Sequence, residues 1–232
     1  MPQSSLHHRI CVSIGRETID DVLAAADSVG SGADVLEIRL DSLAVPAISP
    51  FVNTLQKPLL FTNRPKWEGG RFGGREEQRL APLVEAVHAN CAYVDLELLA
   101  PDSSQRRLLL ALEDADTRLI LSWHNFQETP GREELVGRLA MMQDKGADIG
   151  KIVTFAHSHL DVLRVLQLQE LAEERAFPLI AFCMGRPGVI SRVATVELGG
   201  YMTYCAVSEN EATAPGQLSL ATLNEIYSLL GA

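Results

Sequence analysis

The chain has four lysines among its 20 basic residues, and only Lys151 lies inside a strand-like run, Ala147-Asp148-Ile149-Gly150-Lys151-Ile152-Val153. Lys57 precedes Pro58, Lys66 sits in a glycine-rich stretch, and Lys145 adjoins Gly146 at a helix end. Burial lowers the basicity of a lysine because the ammonium loses hydration. A dry, partly neutral amine can attack a ketone and form an imine. The plainer reading is a lysine paired with a buried carboxylate, and a lone strand lysine is more often that. The six histidines sort in the same way. His7 and His8 belong to the N-terminal tail, and His88 to a helix end. His157 and His159 flank Ser158 with no third ligand close by in sequence. His124 ends the run that closes Ser122-Trp123-His124-Asn125. A lysine and a histidine at neighbouring strand ends suit imine chemistry, since an iminium stabilises a developing carbanion while imidazole takes the proton.

Other ionisable residues gather at strand ends. Glu37, Arg39 and Asp41 share one parity and Leu36, Ile38 and Leu40 the other, so the charges face one side of a strand and the aliphatics the opposite side. Buried charges are costly unless they pair or bind something, and a structural ion pair weighs equally with a ligand site. Asp95 and Glu97 repeat the pattern. The segment Thr62-Asn63-Arg64 leads through Glu68 to Gly69, Gly70, Gly73 and Gly74, which fits either a mobile or close-packed lid base or an ordinary surface turn. The last two loops span Met184 to Arg192 and Glu209 to Gln217. Barrel loops in these places often bind phosphate, but Glu209 and Glu211 disfavour a dianion there. An arginine such as Arg192 suits a carboxylate.

These residues need a scaffold that collects strand ends. Strand-like runs fall at 10–14, 34–40, 58–63, 92–98, 118–124, 148–154, 178–183 and 202–206. Helix-like stretches fall near 17–30, 48–56, 75–89, 102–114, 131–145, 158–175, 188–196 and 217–230. Aliphatic strands alternating with helices predict a parallel sheet covered by helices. Eight units in 232 residues leave 29 each, the arithmetic of a compact (β/α)8 TIM barrel in one α/β domain over residues 1–232. The first turn, Ser13-Ile14-Gly15-Arg16-Glu17, lacks the glycine pattern of a dinucleotide-binding sheet.

Composition narrows the function. With 47% hydrophobic and 22% charged residues the chain is globular, and its net charge of −10 argues against nucleic acid or an anionic membrane as partner. No apolar run approaches a membrane span, and the first residues do not read as a signal peptide. Cys11, Cys91, Cys183 and Cys205 lie far apart without metal-binding spacing, so reduced thiols and a cytoplasmic location are expected.

The motifs run in the order Glu37-Ile38-Arg39-Leu40-Asp41, Thr62-Asn63-Arg64 with Glu68-Gly69-Gly70, Tyr93-Val94-Asp95, Ser122-Trp123-His124-Asn125-Phe126, Gly146 to Ile152, Met184-Gly185 through Ser191-Arg192, and Ala214-Pro215-Gly216-Gln217. Together they resemble those of type I 3-dehydroquinate dehydratases, the Schiff-base enzymes of the shikimate pathway that leads to chorismate and the aromatic amino acids. The resemblance runs from Ser13 to Gln217. It implies an imine at Lys151, proton transfer by His124, and tuning of His124 by Glu68. It also implies substrate contacts from Ser13, Glu37, Arg39 and Arg64, a carboxylate clamp at Arg192, and a lid carrying Thr213 and Gln217, with Asp95 standing behind them. The reaction would convert 3-dehydroquinate to 3-dehydroshikimate with no metal or organic cofactor, in a homodimer. Thr213 stands where relatives often have serine and Asn125 where they often have aspartate, and Val153-Thr154-Phe155-Ala156 departs from the usual smaller residues. The alternatives are another Schiff-base barrel such as a class I aldolase, which would need a phosphate site, or a silent barrel that binds a carboxylate or a protein without turnover.

Overall fold

The computed structural model describes residues 9–211 and 213–231; His7, His8 and the N-terminal start lie outside them. Eight strands alternate with helices: β1 Ile10–Ile14, α1 Ile19–Val29, β2 Val35–Arg39, α2 Ser49–Thr54, β3 Leu59–Thr62, α3 Glu76–His88, β4 Tyr93–Glu97, α4 Asp102–Leu112, β5 Arg118–Asn125, α5 Arg132–Asp144, β6 Ile149–Phe155, α6 His159–Leu166, α7 Leu168–Glu174, β7 Leu179–Met184, α8 Val189–Glu197, β8 Thr203–Ala206 and α9 Leu220–Leu230. Neighbouring strands are parallel in the order β7-β6-β5-β4-β3-β2-β1-β8. The two end strands come together across a seam, where the Tyr201 N–H donates to Leu179 O at 2.8 Å and the Phe182 and Tyr204 rings lie 6.1 Å apart. The sheet is thus a nearly closed (β/α)8 barrel.

Period-two alternation sorts the side chains. Leu36, Ile38, Phe61, Val94, Leu96, Leu121, Ile152 and Cys183 face outward into an aliphatic layer shared with the helices. Cys11, Val35, Leu60, Ile120, Ile149 and Ile180 form a smaller apolar floor inside the barrel. That floor seals the base, so the polar inward residues above it are dry on one side and open toward the strand ends on the other. Thr18, Ser158 and Ser219 cap α1, α6 and α9 through their hydroxyls, satisfying N–H groups that have no helical partner.

One expected helix differs. The segment 158–175 forms two helices, α6 and α7, that meet at Gln167, whose ψ of −16° tightens the turn. The joint carries Leu168 and Gln169 inward, and the Gln169 amide donates to Thr195 Oγ1 at 3.0 Å. Helical spacing alone does not show such a joint because the apolar face continues through it. All four cysteines are free and buried. No helix among the described residues is long and apolar enough to cross a membrane.

Candidate active site

Strand register assembles the polar interior. Ser13 pairs with Glu37, Thr62 with Asp95, and Ser122 with Lys151, so six strands deliver hydrophilic side chains above the apolar floor. Glu37 accepts hydrogen bonds from Ser13 and from Thr62 Oγ1, the latter at 2.8 Å. Asp95 accepts from Ser122 Oγ at 2.6 Å and faces Arg64 Nη2 at 2.8 Å. Glu97 sits between two guanidiniums, those of Arg64 and Arg79. The buried cluster therefore holds Lys151, Arg64 and Arg79 against Glu37, Asp95 and Glu97. Such a cluster is costly to desolvate and persists only when its geometry satisfies each member.

Lys151 is 4% exposed, with Nζ 3.0 Å from Asp95 Oδ2 and 3.9 Å from Glu37 Oε1. The amine is buried and paired with carboxylates, which is the plainer of the two sequence readings. Burial pushes the Asp95 carboxyl up, yet Arg64 and Lys151 outweigh it and hold it below the usual carboxylate range.

His124 is the next inward residue of β5 after Ser122, and thus stands above Lys151 on the neighbouring strand. Its Nδ1 lies 2.9 Å from Glu68 Oε2. Burial, with Arg64 and Lys151 adding to it, drives the imidazole well below its ordinary pKa and keeps it neutral. Burial raises Glu68 to about 8, with Glu97 and Asp95 adding to the rise and Arg64 opposing it. Glu68 reaches this position through the loop after β3, which folds back by bonds from Phe72 N to Arg64 O at 3.1 Å and from Gly70 N to Pro65 O at 2.9 Å. Gly69 has φ +75°, and a Cβ there would come within 2.2 Å of the Phe126 ring. At Gly70 a Cβ would come within 2.0 Å of Arg64 O. The loop is close-packed against the site, and its first two glycines permit that.

Arg192, on α8, is 1% exposed. Its Nη2 donates to Pro215 O at 3.2 Å, while Nε is buried with no partner among the described residues. Burial lowers this guanidinium to about 10. No carboxylate answers it among the described residues, in contrast to Arg64 and Arg79, so it is a cation with donor capacity to spare. Arg39 is held by Asp41 through two bonds of 2.9 and 2.8 Å. Thr213 and Gln217 join the loop after β8 to the rim. The Thr213 N–H donates to Gln217 Oε1 at 2.7 Å, and Thr213 Oγ1 donates to Ser13 Oγ at 3.4 Å.

Lys151, His124, Glu68, Ser13, Glu37, Arg39, Arg64, Arg192, Thr213 and Gln217 all line one cleft that opens at the strand ends. Asp95 is off the surface of the cleft, behind Lys151 and Arg64. The described residues hold no group of three or more His, Cys, Asp or Glu arranged for a metal ion.

Residues 10–232 match the family model for type I 3-dehydroquinase. The chain belongs to the type I 3-dehydroquinase family. The 3-dehydroquinate dehydratase of Desulfotalea psychrophila is 50% identical over 96% of this chain and 99% of its own. Among solved structures, the 3-dehydroquinate dehydratase of Geobacillus kaustophilus superposes with a TM-score of 0.89 at 28% identity, covering 97% of this chain and 91% of its own. The type I enzyme of Clostridium difficile, crystallised with covalently modified comenic acid, gives 0.87 at 29% identity, covering 96% and 92%.

Within this type I 3-dehydroquinase, Phe126, Val153, Phe182, Met184 and Tyr204 also line the cleft; the sequence reading named Phe126, Val153 and Met184 without giving them a place in the site, and did not name Phe182 or Tyr204. They supply the apolar part of the lining, with Tyr204 against Lys151, Phe182 against Arg192 and Phe126 against His124. Inward strand parity was the available signal for Phe182, Met184 and Tyr204, but it does not separate a cleft wall from a barrel floor. Asn125 accepts from the Gln127 and Glu128 N–H groups at 2.9 and 3.0 Å, so its carbonyl fastens the turn after β5. Beyond Lys151, Val153 faces the cleft, Thr154 Oγ1 bonds Thr129 Oγ1 at 2.7 Å, and the Phe155 ring lies 5.1 Å from the His157 ring. The bulkier residues of this stretch are accommodated by the loops that follow β5 and β6.

Proposed function

We propose that the cleft removes water from 3-dehydroquinate through an imine between Lys151 and the substrate ketone, with His124 moving the protons. Family membership makes the chain a 3-dehydroquinate dehydratase, a hydro-lyase of the shikimate pathway. What supports the finer reading is a buried lysine and a neutral histidine on adjacent strands of one cleft. Lys151 Nζ adds to the ketone carbon, and the ketone oxygen leaves as water, giving an iminium. His124 Nε2, with Nδ1–H directed at Glu68, takes the proton from the neighbouring carbon, and that electron pair moves into the iminium. The hydroxyl one carbon further on departs with a proton returned by the imidazole. Hydrolysis of the conjugated iminium then frees the enone and restores the amine. The covalently modified comenic acid of the Clostridium difficile relative supports covalent chemistry on a small organic acid in this family.

The imine route exchanges the carbonyl oxygen. Substrate labelled with heavy oxygen at the ketone, converted faster than it exchanges spontaneously, should give product in which that oxygen has come from solvent. Retention of the label would rule the imine out.

Arg192 has an unmet donor in the cleft and no carboxylate pairs with it among the described residues, which suits the substrate carboxylate. Replacing it with methionine should raise KM by roughly 10- to 100-fold, with a smaller change in kcat, as expected for uniform binding. A steady-state titration decides this, and an unchanged KM would remove Arg192 from the carboxylate site.

The Glu68–His124 pair sets the pH dependence. Glu68 is raised to about 8, so at neutral pH its carboxyl donates a proton to His124 Nδ1 and the neutral ring carries its hydrogen on Nε2. Loss of the Glu68 proton moves that hydrogen to Nδ1 and frees Nε2 as a base. On this account kcat/KM rises with pH and levels off above about 8. In Glu68→Gln the rate is lower and that acid limb disappears. A wild-type profile that falls across the same range would contradict the assignment.

A further inference from the structure

Tyr204, an inward residue of β8, has no part in the steps above. Its ring lies beside the reactive nitrogen, with Lys151 Nζ 4.0 Å from the ring centroid. That is well inside the ~6 Å over which a cation is attracted to an aromatic face, and the attraction is strongest where water is excluded. The side chain is 4% exposed, lines the cleft, and packs against Phe182 across the barrel seam. The phenol oxygen is buried and has no hydrogen-bond partner among the described residues. The oxygen therefore makes no bond that fixes the ring, and what Tyr204 presents to Lys151 is its face.

Asp95, Glu37 and this face are the charge-stabilising neighbours of the nitrogen. They differ chemically. A carboxylate attracts a cation but also offers lone pairs that accept its proton. An aromatic face attracts the cation through its quadrupole and accepts no proton. An imine works as an electron sink only while its nitrogen stays protonated and positive. We infer that Tyr204 is a positioning residue for the covalent step, its ring face seating the Lys151 nitrogen and sustaining the positive charge of the iminium formed there. This rests on the imine at Lys151.

The test compares full-length Tyr204→Phe, which keeps the face and drops the oxygen, with Tyr204→Met and Tyr204→Leu, which drop the face. Two faceless variants guard against one failing to fold, as judged by thermal melting. Tyr204→Phe should keep kcat within about twofold of wild type, while the faceless variants lose roughly 10- to 30-fold in kcat with KM changed by less than about threefold. The rate at which borohydride captures enzyme-bound 3-dehydroquinate should fall by a similar factor in the faceless variants only. Wild-type kcat and capture rate in a folded faceless variant would overturn the inference. So would a loss in Tyr204→Phe as large as in Tyr204→Met, which would place the role in the oxygen. If wild type forms no adduct at Lys151, the imine reading itself fails. If that adduct forms and a faceless variant captures at full rate, this inference alone fails.

Discussion

Replacing Lys151 with alanine should abolish turnover, with a loss of at least about 10⁴-fold in kcat, because no other group in the cleft can form the covalent intermediate. The cluster keeps much of its charge pairing without the lysine. Asp95 retains Arg64 at 2.8 Å and Ser122, and Glu37 retains Thr62 and Ser13. The variant should therefore fold, and a thermal melt separates lost chemistry from lost structure. Product formation is followed by the rising absorbance of the conjugated enone. Residual activity within tenfold of wild type, in a folded variant, would mean that the lysine is only an ion-pair partner of Asp95.

Replacing His124 with alanine should slow the reaction by about 10²- to 10⁴-fold, the usual worth of a positioned acid–base group, without preventing the covalent bond. His124 contacts Glu68 rather than the lysine, so the amine keeps its neighbours. The imine should then accumulate, and borohydride should trap substrate on Lys151 in this variant to a greater extent than in wild type at steady state. Normal turnover would remove His124 from the mechanism. Loss of turnover together with loss of the trapped adduct would assign it to imine formation instead of proton transfer.

These two residues were legible because each was exceptional in its local pattern. Lys151 is a lone lysine in an aliphatic strand, and His124 is the histidine that closes one. The opposed parities of Glu37 and Leu36 likewise marked which face of β2 would look inward, and the sheet places them so. The barrel itself followed from eight repeated units whose aliphatic strands need cover on both faces.

The rest depends on contacts between residues distant in sequence. Arg79 reads as one more polar residue of α3, yet it is buried because Glu97 of β4 waits beneath it. Glu97 in turn gains its meaning from Arg64 on the loop after β3. Tyr204 reads as an ordinary strand aromatic until the barrel closes and brings β8 to face β6. The joint at Gln167 is set by the inward bond from Gln169 to Thr195, which no helical period records. Periodicity reports which face a residue occupies; which partner it meets there is decided by the fold.

The central claim is a covalent bond between one amine and one carbonyl carbon. Borohydride added to wild-type protein turning over 3-dehydroquinate should fix the reduced substrate to the chain irreversibly, and peptide mass mapping should place a single adduct on Lys151. An intact protein without added mass, or an adduct on Lys57, Lys66 or Lys145, would contradict the account.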